Sequence, residues 1–263
     1  MASGAVPGWS IEDWIQFYRE GLLPLVVGDA FPCDAVPVPA YFLASAQGPR
    51  KMPKTLPWPQ WLELCRTGNW PDPFPDPVAM REVERQHVAI NRATGTALEG
   101  QLRTERGHWP AVGIFFVALI DDILEIQDFT KMLELLCTEG WGYGRSYGYG
   151  HIELDSIEPL EQPEPASHFA TMGHCHPTEC LPEIGWWRWR GVPVRRHNPD
   201  TRRAAQLQFT TMLDAGATFE CASTVFPSHV GAVLFEPMAE NGHYAHNGFA
   251  PVWPVSLKEE NHG

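Results

Sequence analysis

Residues 112–157 place the tightest constraint on the fold, because they read in order as strand, helix, glycine-rich loop and strand. Val112–Ile120 is an apolar run suited to a strand, and Asp121-Asp122 supplies turn chemistry after it. Asp128 is placed to cap a helix that carries Phe129, Met132, Leu133 and Leu136 on its buried side and ends at Gly140. His151–Ile157 then reads as a strand. The loop between helix and strand, residues 140–150, holds five glycines and one arginine.

Such a loop suits a ligand that approaches the main chain. Glycine admits positive φ and puts no Cβ in the way, and successive backbone N–H groups form an anion-binding concavity. Arg145 adds a planar fork that matches phosphate, Ser146 a hydroxyl, and the neighbouring aromatics flat faces for a base. The main chain of Gly142, Gly144 and Gly148 would hold phosphates, and Tyr147 and Tyr149 alternate, so that one faces the core and the other is open to a base. A tight helix C-cap followed by a bulge explains the same glycines without a ligand. No Gly-Lys-Ser/Thr follows, and the glycines come after a helix instead of opening one, which argues against nucleoside-triphosphate chemistry.

The net charge of −13 over 263 residues is unlike that of a general nucleic-acid binder. Its distribution matters more. Residues 186–203 hold six arginines, among them Arg188, Arg190, Arg195 and Arg196, against the single Asp200, a local net of +5. Trp186, Trp187 and Trp189 stand between these charges, a composition suited to an interface with RNA or an acidic partner. No run of 18 apolar residues and no signal-peptide pattern is present, so a cytoplasmic protein without membrane contact is expected. Six scattered cysteines read as reduced thiols.

Elsewhere, Ser10–Glu20 reads as a capped helix and Leu22–Val27 as a buried apolar run. Prolines make 32–59 irregular apart from a short helix at Trp58–Cys65, and Pro71, Pro73, Pro75 and Pro77 enforce extended chain. Pro159, Pro163 and Pro165 mark a boundary, beyond which the chain is β-rich: Leu207–Phe219, His229–Phe235 and a hairpin turn at Asn241-Gly242.

Two chemical clusters need weighing. His174, Cys175, His176 and Cys180 carry zinc-ligand chemistry, but their spacing matches no standard knuckle pair, and strand alternation separates the histidines from Cys175. No metal or other cofactor is expected. His108, His151 and the Asp121-Asp122 pair could supply acid and base to a ribonuclease only if they flank one phosphate.

The glycine loop and its surroundings resemble the RAMP proteins of CRISPR systems. Gly28-Asp29-Ala30-Phe31-Pro32, Arg50–Leu56, His87–Thr96, Met212–Phe219 and Tyr244–Pro254 resemble, in order, segments of the crRNA 5′-handle-binding subunit of type III-A (Csm) effector complexes. The resemblance covers roughly residues 10–255. It implies an α+β fold of two ferredoxin-like (RRM-like) domains with antiparallel sheets: residues 1–160, with a thumb inserted at 45–105 and the loop at 140–150, then residues 161–263. The first domain would lack about one strand and one helix at its N-terminus. The implied role is non-catalytic: a clamp on the handle that contacts the large polymerase-like subunit and the first backbone subunit, with the thumb near target RNA. Asn91, Arg92, Thr94 and Thr96 in the thumb's return strand and Lys51 and Lys54 at its entry become further RNA-binding candidates. A crRNA-processing endoribonuclease and a docking-only subunit without handle contacts remain the alternatives.

Overall fold

The computed structural model describes residues 9–46, 52–76, 81–90, 92–109, 112–140, 150–161, 163–178, 181–182, 184–197, 204–221, 225–237 and 243–257. Helix α1 (Ile11–Arg19) opens with a capping box: the Ser10 hydroxyl accepts the Asp13 N–H at 3.2 Å, and the Asp13 carboxylate accepts the Ser10 N–H at 2.6 Å. Strand β1 (Leu25–Val27) pairs antiparallel with β8 (Ala118–Ile120). Helix α4 (Ile126–Glu139) packs here through buried Phe129, and Trp9, Trp14, Leu25 and Ile120 join the same apolar cluster. The helix begins earlier than the sequence suggests. Glu125 takes the N-cap place with extended backbone, and Asp128 lies inside the first turn, where it pairs with Lys131 at 2.9 Å. Its C-terminus falls at Gly140, as expected, with a φ of 78° and its N–H on the Leu136 carbonyl.

The apolar run at 112–120 is two strands. β7 (Ile114–Phe115) pairs with β2 (Phe31–Pro32), whereas β8 pairs with β1. The change of partner leaves Val117 between them, its carbonyl accepting the Gly28 N–H at 2.8 Å. The strand expected at His151–Ile157 is absent: residues 150–161 are irregular and almost wholly exposed, with no ladder partner among the described residues. An apolar-containing run forms a strand only when a neighbouring edge takes its backbone bonds.

The proline-rich stretch contains more order than its composition implies. β3 (Val36–Pro37) pairs with β4 (Thr55–Leu56), and a short helix α2 (Ala40–Ser45) is fixed by buried Phe42 and by the Ala40 N–H on the Gly216 carbonyl at 2.8 Å. Helix α3 (Trp58–Thr67) forms where expected, with Pro59 in its first turn. Trp61 is buried, and its indole N–H donates to the Pro37 carbonyl at 2.7 Å.

The main sheet has five antiparallel strands in the order β10 (Gly185–Trp186), β13 (Thr218–Glu220), β9 (His168–Thr171), β17 (Phe249–Val255) and β14 (His229–Gly231). One core cluster joins Phe42, Leu56, Trp61 and Leu64 to Ala170, Met172, Trp253 and Val255, so side chains from both sides of residue 160 share it. A second gathers Phe169, Cys175, Leu213 and Phe219. The two halves of the chain meet backbone to backbone at Gly28 and Gly173. The Asp29 N–H donates to the Met172 carbonyl at 2.9 Å, and a Cβ on Gly28 would stand 2.4 Å from that oxygen.

Three hairpins stand outside this sheet as two-stranded ribbons. They are β5 (Arg81–Ile90) with β6 (Ala97–Trp109), β11 (Trp189–His197) with β12 (Ala204–Leu213), and β15 (Leu234–Pro237) with β16 (His243–His246). The last confirms the hairpin expected around residues 241–242, which lie outside the described residues. Strands expected at Leu207–Phe219 and His229–Phe235 are each divided, as β12 and β13, and as β14 and β15. This is an α+β protein with small antiparallel sheets.

Candidate nucleic-acid interface

Gly142, Gly144, Arg145, Ser146, Tyr147 and Gly148 lie outside the described residues. What the structure describes is how the loop is held. It leaves α4 at buried Gly140 and returns at Gly150, both at positive φ, 78° and 75°. Both flanking positions are therefore suited to glycine.

The ribbon β5–β6 presents the second set of candidates at its tip. Arg92, Thr94 and Thr96 are exposed, and the two threonine hydroxyls share a hydrogen bond of 2.8 Å across Gly95. Asn91 lies outside the described residues. Lys54 is exposed beside β4, its carbonyl accepting the Val38 N–H at 3.0 Å; Lys51 lies outside the described residues. Core packing thus fixes the backbone of Lys54 while its ammonium stays in water.

The described part of the basic window supplies the end of the edge strand β10 and the whole of β11, one strand of the ribbon β11–β12. Its first two tryptophans are structural. Trp186 packs edge-on against Tyr41 at 4.7 Å, and Trp187 stacks on Phe219 at 5.6 Å. Arg188 and Arg190 are exposed, and Arg190 approaches the Asp214 carboxylate at 3.4 Å. Arg195 and Arg196 lie further along β11, Arg195 opposite Leu207. An open cleft of about 470 Å³ runs between α2 and this segment, lined by Leu43, Ala44, Trp186, Trp187 and Arg188.

His174 sits in a different company from the one its sequence neighbours suggest. Its Nδ1 meets the Asp29 carboxylate, and its Nε2 lies 3.1 Å from Asp214 Oδ1, close enough for an ion pair but out of line for a hydrogen bond. Cys175 points the other way, into the core, where burial and then the Asp29 charge push its thiol up to about 12. A thiolate ligand is disfavoured there. His176 turns towards the Pro177 carbonyl at 3.2 Å, and Cys180 lies outside the described residues. Among the described residues no three such side chains gather around a common point. Sequence spacing gave no sign of the link from His174 to Asp29 and Asp214, although both aspartates fall in the segments that carry the family resemblance.

The acid–base candidates are dispersed over distinct elements. His108 is on β6 opposite Glu82, His151 is in the irregular 150–161 segment, and Asp121 accepts the Ile123 N–H at 3.2 Å within a turn. Among the described residues no helix is long and apolar enough to cross a membrane.

No protein-family model matches the chain, and no curated protein does. A solved structure does: a chain in the crystal structure of a Csm1-Csm4 cassette in complex with cA4 superposes with a TM-score of 0.51 at 13% identity, covering 94% of this chain and 84% of that one. The likeness is one of fold, and it runs through both halves of the molecule.

Proposed function

We propose that the chain is a non-catalytic, RNA-binding subunit of a type III CRISPR effector ribonucleoprotein, acting in the cytoplasm as a clamp on the 5′ repeat-derived handle of crRNA. The observation that carries this reading is the fold likeness to a Csm1-Csm4 cassette chain over 94% of the sequence. In this reading the two halves are two ferredoxin-like units, residues 45–105 are the inserted thumb, and the ribbon β5–β6 is the part of it that reaches towards target RNA. The loop at 140–150 holds handle phosphates through the main chain of Gly142, Gly144 and Gly148, with Arg145 and Ser146 beside them. Phosphate contacts of this kind position RNA without reading its sequence. The remaining surfaces bridge a large polymerase-like subunit and a backbone subunit, and the body's negative charge leaves the isolated chain a weak binder of random RNA.

The test is recovery of the tagged chain from its host and sequencing of the small RNA that comes with it. RNAs sharing one repeat-derived 5′ end are the expected result. Arg145→Ala with Ser146→Ala weakens that association and flattens its salt dependence. Protein partners without such RNA would overturn the clamp, and cleavage of labelled repeat RNA by the purified chain would replace it with a processing nuclease.

A further inference from the structure

The ribbon β11–β12 carries an aromatic face that the fold leaves open. Strand alternation and the pairs Gly191↔Thr211 and Pro193↔Phe209 put Trp189, Gly191, Phe209 and Thr211 on one side. Trp189 is 59% exposed and Phe209 68% exposed. A Cβ built on Gly191 would lie 3.7 Å from the Phe209 ring, so the ring leans over the one position of the strand that has no side chain. Gly191 is two residues from Trp189, about 7 Å along the strand, and the two rings therefore share one patch. Trp186 and Trp187 are engaged with Tyr41 and Phe219, whereas neither Trp189 nor Phe209 stacks on another ring among the described residues.

Charge decides between possible occupants. From residue 185 to 213 the chain carries a single acidic residue, Asp200, among six arginines, in a protein of net charge −13. Exposed rings on a segment of this charge complement a polyanion with exposed π-faces; alternation puts Arg190, which meets Asp214, on the other side of the ribbon, so the complementarity is that of the segment as a whole. Arginines and aromatic rings are also enriched at protein interfaces, so a protein seated here would have to be acidic. Single-stranded RNA has that chemistry: aromatic side chains stack unpaired bases with little regard to sequence, and nearby guanidinium groups take the phosphates.

We propose that the Trp189–Phe209 face of this ribbon is a stacking platform for unpaired RNA bases. The proposal rests on the RNA-subunit reading and adds a second RNA contact, in the other half of the chain from the glycine-rich loop.

The experiment uses the ribonucleoprotein purified with its own small RNA. Ultraviolet cross-linking followed by peptide mapping places cross-links on peptides containing Trp189 or Phe209. In the reassembled complex, Trp189→Ala with Phe209→Ala weakens binding of that RNA tenfold or more. Trp189→Phe with Phe209→Tyr restores it, and melting temperatures of the isolated variants stay at the parental value. RNA retained at parental affinity, with cross-links confined to other segments, would overturn the platform and leave the RNA-subunit reading intact. Loss of a protein partner with RNA affinity unchanged would make the face a protein interface instead. A parental complex that holds no RNA removes both readings.

Discussion

Phe219 in β13 and Phe209 in β12 stand ten residues apart, yet the first is 1% exposed and the second 68%. The sheet that holds Phe219 has helices α2 and α3 against it and buries residues from both halves of the chain. The ribbon that holds Phe209 is two strands alone. Residues 209–213 cross from one regime to the other: Leu213 and Met212 are buried at the ribbon's root, and Phe209 and Thr211 are open further out. Beyond its root this two-stranded ribbon has no second layer to cover it, so the exposed apolar side chains there add little to folding free energy. The ribbon β5–β6 repeats the pattern with exposed Val88 and Ile90. In this protein buried packing is concentrated around the five-stranded sheet, and the proposed RNA contacts at Trp189, Phe209 and Arg92 fall on the ribbons.

That division is broken most severely from the sheet side. Trp61→Ala removes a buried ring and a 2.7 Å indole hydrogen bond, and should cost about 3–5 kcal/mol in denaturant unfolding. Gly28→Ala comes next, because its Cβ would stand 2.4 Å from the Met172 carbonyl oxygen, an atom of the backbone that cannot rotate away. A loss of about 3 kcal/mol is expected. Gly113→Ala, whose Cβ would meet nothing within 4 Å, serves as its control and should stay within about 0.5 kcal/mol. Equal losses at Gly28 and Gly113 would mean that the two halves of the chain do not meet at Gly28.

The ribbons sharpen the comparison through their indifference. Ile90→Thr exchanges one exposed β-branched side chain for another and should move stability by less than about 0.5 kcal/mol. Arg92→Ala at the tip should do the same in the isolated chain while weakening the salt-dependent part of RNA association. A large stability loss at Ile90 would show that the ribbon packs against the body.

Local chemistry was legible where one element satisfied itself. The Ser10 cap, Pro59 in the first turn of α3 and Gly140 at the end of α4 are each decided within a few residues and are legible in the sequence, whereas the reciprocal bond from Ser10 N–H to Asp13 emerges only in the structure. Strands were read less well, because a strand's limits belong to its partner. Nothing in Val112–Ile120 announces that Ile114–Phe115 joins Phe31–Pro32 and Ala118–Ile120 joins Leu25–Val27. The same holds for His151–Ile157, whose composition suits a strand that no described edge receives. Of the candidate interface, the arginine and tryptophan window was visible as composition. That Trp186 and Trp187 lie against other rings while Trp189 is the most open of the three depends on Tyr41 and Phe219, which the chain brings in from afar.

The smallest effect is a pH dependence, and it belongs to the sheet. His168 begins β9 and lies 6.1 Å from the rings of both Tyr41 and Trp186; His229 begins β14 against Phe249 at 5.5 Å. Burial lowers both imidazoles below their ordinary 6.5, and at His168 the Glu220 carboxylate partly offsets this. A base whose native value is depressed binds its proton first in the unfolded chain. Stability is then complete above pH 6.5 and falls as the pH drops through 6.5 towards the native values. His168→Gln should flatten that slope in unfolding measured from pH 7.5 to 5.5, and His229→Gln should flatten it as well. Arg92 is at the tip of the ribbon β5–β6 and belongs to neither strand that carries these two histidines, so Arg92→Ala should leave the slope unchanged. A parental stability that rises on acidification over this interval would mean that the two histidines are charged in the folded sheet, and the packing described around Tyr41 and Phe249 would be wrong.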